Sequence, residues 1–308
     1  MVTFRKILVS LDGSELAENA LAPAMAIAGA MASRAGGEPV KLILLRVVGP
    51  VALVAADPLL YDELMRMGID EAQAYLNTVV ASLKPERVTV EAHAATGSAA
   101  SAIVQYAETS GVDLIVMSSH GRTGSSRWVY GSVAEKVLHH APCATMIIRA
   151  HVGAPAFQNR KLLVPLDGSS LAERALEPAL AIAEAVGSDV ALLRLTSSRE
   201  PLPESLTAGG ENAAALDTAA AQERAEAEAY LQTLCAAHPN QRLTCAVETT
   251  SGDIADALVT YAEAHDVALI VMSSHGRSGI GRWLHGSVAE KVLRGANCAT
   301  LIVRSPRG

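Results

Sequence analysis

Two short segments hold the residue types that could do chemistry, and each occurs twice in the 308-residue chain. One is Asp12-Gly13-Ser14, which returns as Asp167-Gly168-Ser169. Its carboxylate only accepts hydrogen bonds, which suits ribose hydroxyls or the amino group of a base. The same aspartate could equally serve as the turn and cap residue of a following helix. The other segment begins Ser118-Ser119-His120-Gly121 and returns as Ser273-Ser274-His275-Gly276. Gly121 and Gly124 allow tight turns that expose backbone N–H groups. Gly131-Ser132 then opens a helix, whose first amides and dipole favour an anion. Ser132 adds a hydroxyl, and Arg122 or Arg127 could add positive charge. The second set is Gly276, Gly279, Gly286 and Ser287, with Arg277 or Arg282. This is the chemistry of a phosphate cradle.

Other polar residues have plainer readings. Ser119 and His120 are sequence neighbours whose side chains diverge, so they form no nucleophile–base dyad. His120 and His275 are read as structural. Arg127-Trp128 and Arg282-Trp283 either pack on a sheet or touch a ligand. His139-His140 has no counterpart in the second copy, where Arg294-Gly295 stands, and is read as solvent-facing. Glu135-Lys136 and Glu290-Lys291 fit a polar helix face.

The duplication extends through the whole chain. Val116–Arg149 and Val271–Arg304 match at 24 of 34 positions, at an offset of 155 residues. The offset falls to 148 at Leu44-Leu45-Arg46 and Leu192-Leu193-Arg194. Seven extra residues near Arg34–Pro39 in the first copy, and seven regained within Ser197–Asn212 in the second, therefore mark loops. The segment Ser197–Asn212, with Pro201, Pro203, Gly209 and Gly210, is expected to be a mobile loop over or beside the second site, disordered without ligand. Domain boundaries are expected at residues 1–150 and 159–306, joined by a linker near Ala150–Gln158.

Each copy alternates strands and helices. The first gives strands Lys6–Leu11, Lys41–Val48, Val88–Ala94, Asp113–Met117 and Ala144–Ile148, with helices between them. The strands are almost continuous apolar runs, as parallel strands covered on both faces must be. Pro23 and Pro178 lie inside the first helix of each copy and predict a kink or a late start there. The fold class is α/β: two repeated doubly wound domains, each a five-stranded parallel sheet of order 3-2-1-4-5 with helices on both faces. Ligands of such sheets bind at the carboxyl ends of the strands where the winding reverses. That point lies between the first and fourth strands, where the aspartate and glycine segments meet.

These residues resemble the universal stress protein family in its ATP-binding, tandem form. Members carry Gly-x-x-Gly, nine residues, then Gly-Ser or Gly-Thr. Gly121 with Gly131-Ser132, and Gly276 with Gly286-Ser287, fit that spacing. Ser118 and Ser273 stand where the family has its first glycine, close to the nucleotide. The resemblance implies ATP, or AMP or ADP, with Mg²⁺ bound through the phosphates. It also implies nucleotide contacts from Asp12 and Asp167 and a backbone contact at Val47 and at Leu195. Its implied role is a noncatalytic stress sensor or regulator. Alternatives are a slow ATPase, although no side chain is placed to activate water, and an interaction module that dimerises without binding nucleotide. A related class of adenylate-forming enzymes carries Ser-Gly-Gly-x-Asp-Ser after the first strand. Ser10-Leu11-Asp12-Gly13-Ser14 lacks that pyrophosphate loop.

Composition narrows the partners. A net charge of −7 argues against nonspecific nucleic-acid binding, which needs a basic face. No apolar run reaches the roughly 18 residues that would span a bilayer. The chain enters a strand almost at once, leaving no room for a signal peptide, so a cytoplasmic protein is expected. Half the residues are hydrophobic but only 3% aromatic, so the core must be aliphatic. Cys143 and Cys298 are read as small buried hydrophobes in a reducing compartment. The fifth strands, Ala144–Ile148 and Ala299–Val303, would leave apolar edges open. An internal pseudo-dimer pairing them antiparallel is expected, with association of two whole chains through other surfaces as a further option.

Overall fold

The computed structural model describes residues 4–34, 39–50, 58–119, 131–149, 157, 160–197, 211–273 and 287–304. The first half runs β1 (Lys6–Leu11), α1 (Glu15–Glu18), α2 (Leu21–Arg34), β2 (Val40–Val48), α3 (Pro58–Ser82), β3 (Val88–Thr96), α4 (Ala99–Ser110), β4 (Leu114–Ser118), α5 (Ser132–His140) and β5 (Ala144–Ile148). The second half repeats it as β6 (Lys161–Pro165), α6 (Ser170–Glu173), α7 (Leu176–Val186), β7 (Asp189–Ser197), α8 (Glu211–Ala237), β8 (Leu243–Thr250), α9 (Ile254–Ala264), β9 (Val267–Ser273), α10 (Ser287–Gly295) and β10 (Ala299–Val303).

The strands of each half are parallel and ordered third, second, first, fourth, fifth, as the sequence pattern predicts. The two sheets fuse into one of ten strands, because β5 pairs antiparallel with β10, Met146 lying opposite Leu301. Central strands are apolar on both faces: Ile7, Leu8 and Val9 of β1 and Leu114, Ile115 and Val116 of β4 are wholly buried. Alternate residues enter two helical layers. Ile7, Val9 and Leu114 join a cluster with α2, α3, α7 and α8. Leu8 and Ile115 join one with α4, α5, α9 and α10. Both clusters continue across the junction between the halves.

Local chemistry explains the element ends. The first helix of the first copy, where Pro23 predicts a kink or a late start, is two helices, α1 and α2, separated at Asn19 and Ala20. Pro23 falls in the first turn of α2 and Pro178 in the first turn of α7. First-turn amides have no intrahelical partner, so the missing N–H costs nothing there. Of the segment Ser197–Asn212, Ser197 ends β7 and Glu211 begins α8. The residues between lie outside the described ones. Cys235 at the end of α8 and Cys245 on β8 form a disulfide, which the sequence reading did not anticipate. The helix, turn and strand fold back on each other and bring together two cysteines ten residues apart.

Candidate functional site

Asp12 leaves the end of β1 in a tight turn. Gly13 has φ +86°, a conformation that a side chain would strain. Asp12 Oδ1 accepts from the Ser14 amide at 3.0 Å and from its hydroxyl at 2.6 Å. Ser14 Oγ in turn accepts from the Ala17 amide at 3.2 Å. Asp12 therefore makes the turn, while Ser14 rather than Asp12 caps α1. The second half repeats this. Asp167 accepts from the Ser169 amide at 2.9 Å, Ser169 accepts from Ala172 at 3.1 Å, and Gly168 has φ +82°.

Across the switch point, β4 ends at Ser118. The Ser119 amide donates to Ile148 at 2.8 Å, and the Gly131 amide donates to Ser119 at 2.9 Å. These bonds bring the end of β4 against the start of α5. Gly131 is the N-cap of α5 and offers no side-chain hydrogen bond to the first turn. Ser118 is 7% exposed, and its hydroxyl is buried without a hydrogen-bond partner. Burying such a group unpaired costs about 1–3 kcal/mol. Asp12, Val47, Ser118, Gly131 and Ser132 all line one cavity of about 230 Å³. Ala99, Ile103 and Met117 give it an apolar wall, and Ser10 and Ser119 add polar lining.

Five residues singled out in the first copy thus converge from four chain segments. Gly121, Arg122 and Gly124, with His120, lie outside the described residues, as do Arg127 and Trp128. In the second copy, Asp167 follows β6, Leu195 lies half-buried on β7, and Ser273 ends β9 at 9% exposure. Ser287 opens α10. Gly276, Arg277, Gly279 and Gly286, with His275, Arg282 and Trp283, lie outside the described residues. The sequence reading missed Ile103 and Met117. They are apolar positions of α4 and β4, and no local signal separates cavity lining from core. A larger groove of about 700 Å³ runs between α2 and α7 on the other layer. Small residues such as Ala22, Ala26, Gly29 and Ala30 line it, and it brings together none of the repeated chemical segments.

The free thiols are protected rather than reactive. Cys298 is buried and Cys143 partly so. Burial pushes each up to about 12, with the Asp113 carboxylate adding to the rise at Cys143. His140 is exposed, its Nδ1 against the Lys136 carbonyl. Lys291 pairs with Asp253 at the start of α9, and Glu290 with Arg294, so these charges occupy a polar helix face.

Comparison with known proteins agrees with this architecture. The model of the universal stress protein family matches twice, over residues 3–149 and 158–304. The chain belongs to the universal stress protein family. A universal stress protein of Methanocaldococcus jannaschii, MJ0531, is 31% identical over 147 residues, covering 47% of this chain and 82% of that one. The Mycobacterium tuberculosis universal stress protein Rv2005c is 28% identical over 193 residues. That match covers 62% of each chain, so less than two thirds of the mycobacterial protein is spanned. The crystal structure of a universal stress protein from Archaeoglobus fulgidus superposes with a TM-score of 0.65 at 19% identity. It covers 98% of this chain and 99% of that one, and so supports the tandem universal stress protein fold. Among the described residues no helix is long and apolar enough to cross a membrane.

Proposed function

We propose that each half of this universal stress protein binds ATP or a related adenine nucleotide, and that the chain acts as a noncatalytic sensor or regulator. The observation that carries this reading is the buried, unpartnered Ser118 hydroxyl in the cavity that the start of α5 opens into. An orphaned polar group beside a helix start with no side-chain cap is what a phosphate oxygen would satisfy. The apolar wall of Val47, Ala99, Ile103 and Met117 suits a flat base, and Asp12 suits ribose hydroxyls. The repeat of Asp167, Leu195, Ser273 and Ser287 supports a second site of the same kind. Gly121, Arg122, Gly124, Gly276, Arg277, Gly279 and Gly286 belong to the same proposal through the sequence spacing.

Mg²⁺ would be held by the phosphates. Among the described residues, no group of three or more His, Cys, Asp or Glu side chains could hold a metal ion. Asp12 is the one carboxylate among the described lining residues, and Ser14 already engages it. That favours binding over hydrolysis. Calorimetric titration with MgATP tests the reading, with up to two sites per chain expected. No heat and no thermal shift at millimolar nucleotide would overturn it and favour a module that acts by association alone.

A further inference from the structure

On the opposite layer of the sheet from that cavity wall, each half repeats a second constellation. The Tyr75 hydroxyl on α3 donates to Glu18 Oε1 on α1 at 2.7 Å. The Arg46 guanidinium on β2 lies 5.0 Å from the centre of the Tyr75 ring and reaches Glu71 of α3 at 3.3 Å. In the second half, Tyr230 on α8 donates to Glu173 on α6 at 2.9 Å. Arg194 on β7 lies 5.4 Å from the Tyr230 ring. Both phenols are held above the usual tyrosine range, first by burial and then by the glutamate, with the arginine opposing. Asp12 and Asp167 also push their own phenol upward, so each aspartate lies within electrostatic reach of it. The phenol stays protonated and remains the donor.

The arrangement matters because α1 and α6 are four residues long, far too short to hold themselves. At its start, α1 hangs on Ser14, which is bonded to Asp12. At its end it hangs on Glu18, and hence on Tyr75. On β2, Arg46 faces the tyrosine while its neighbour Val47 faces the cavity, as alternation along a strand requires. One tyrosine thereby ties together the two cavity walls that carry Asp12 and Val47.

We infer that Tyr75 and Tyr230 are positioning residues, each fixing the aspartate turn of its own half against the end of the second strand. The geometry stands by itself, and its use in setting the width of the site rests on the nucleotide reading above.

Hydrogen exchange on the full chain tests the clasp without any ligand. The amides of Ser14, Ala17, Glu18 and Ala20 are bonded within the turn and α1. In Tyr75→Phe and Glu18→Ala they should exchange about tenfold faster, the scale of one lost charge-assisted hydrogen bond. Glu18→Gln keeps a neutral carbonyl acceptor for the phenol and should restore part of the protection. Tyr230→Phe should do the same to the turn after Asp167 and leave the first half unchanged. Unchanged protection in Tyr75→Phe, or faster exchange spread evenly over the first half, overturns the inference. MgATP titration follows in chains whose second site is silenced by Gly286→Val. There Tyr75→Phe and Glu18→Ala should weaken binding about tenfold and Glu18→Gln by clearly less. Faster exchange with unaltered affinity overturns the role in setting the site. Absence of MgATP binding in the wild-type chain overturns the nucleotide reading instead, while the exchange comparison still decides the clasp.

Discussion

Gly131 has φ −59° and ψ 142°, a conformation open to any residue, so its value lies in the missing side chain. A valine there would cost the backbone nothing, yet its methyl groups would stand before the first amides of α5. Gly131→Val is expected to abolish nucleotide binding at the first site while far-ultraviolet circular dichroism stays at wild type. Ser118 poses the opposite problem. Its unpaired hydroxyl destabilises the ligand-free chain and would reward a ligand. Ser118→Ala should raise ligand-free stability by about 1 kcal/mol and weaken MgATP by roughly three- to tenfold. Chemical denaturation and calorimetry would read the two effects, and a loss in both stability and affinity would contradict this account. Asp12 and Gly131 were legible in the sequence because the repeat sets them apart. The capping role of Ser14 was not, because Asp-Gly-Ser permits either residue to cap the helix.

At the scale of elements, the two halves differ where α8 meets β8. Cys235 and Cys245 occupy the positions of Val80 and Val90, 155 residues earlier, which pack against the core of the first half. The disulfide closes a loop of about ten residues, and loop entropy bounds its contribution at about 3 kcal/mol. Cys245 is exposed, so a reductant can reach the bond. Reduction should lower the denaturation midpoint of the wild-type chain. The variant C235V/C245V, which restores the packing of the first half, should show no response to reductant. Equal sensitivity in both proteins would mean that the effect lies elsewhere. The strands and helices themselves were legible from apolar runs and their period. The break between α1 and α2 was half legible, since Pro23 announced it but not its position.

Over the whole molecule, fusing β5 to β10 removes two apolar edges and leaves β3 and β8 outermost. Those outer strands carry Glu91, His93 and Glu248, charged or polar groups that discourage further pairing. The junction is reinforced from the ends of the fifth strands. Arg149 is buried, and its guanidinium donates to the carbonyls of Leu293, Arg294 and Ala296 at the end of α10. Arg304, half-buried, donates in the mirrored way to Leu138 near the end of α5 at 2.6 Å. A guanidinium at a helix carboxyl terminus meets both the uncapped carbonyls and the negative end of the dipole. Arg149→Met, which keeps the stem but removes the donors, should cost about 2–3 kcal/mol. It should also split a single thermal transition into two in scanning calorimetry. Arg304→Met should cost less, since water can replace its lost bond.

The sequence by itself determined the duplication, the α/β alternation, the strand order within each half and the place of Asp12, Ser118 and Gly131 at the switch point. The duplication and the alternation are written in local periodicity and in the spacing of glycines, and the strand order and switch point follow from them by the winding rules of doubly wound sheets. Only the tertiary structure decided that Tyr75 meets Glu18, that Cys235 meets Cys245 and that Arg149 meets the end of α10. These partners are 57, 10 and about 145 residues apart. A tyrosine, a cysteine or an arginine looks the same in sequence whether its partner is solvent or protein. Their roles follow from packing two layers of helices on a fused sheet, which sets distances that no sequence spacing encodes.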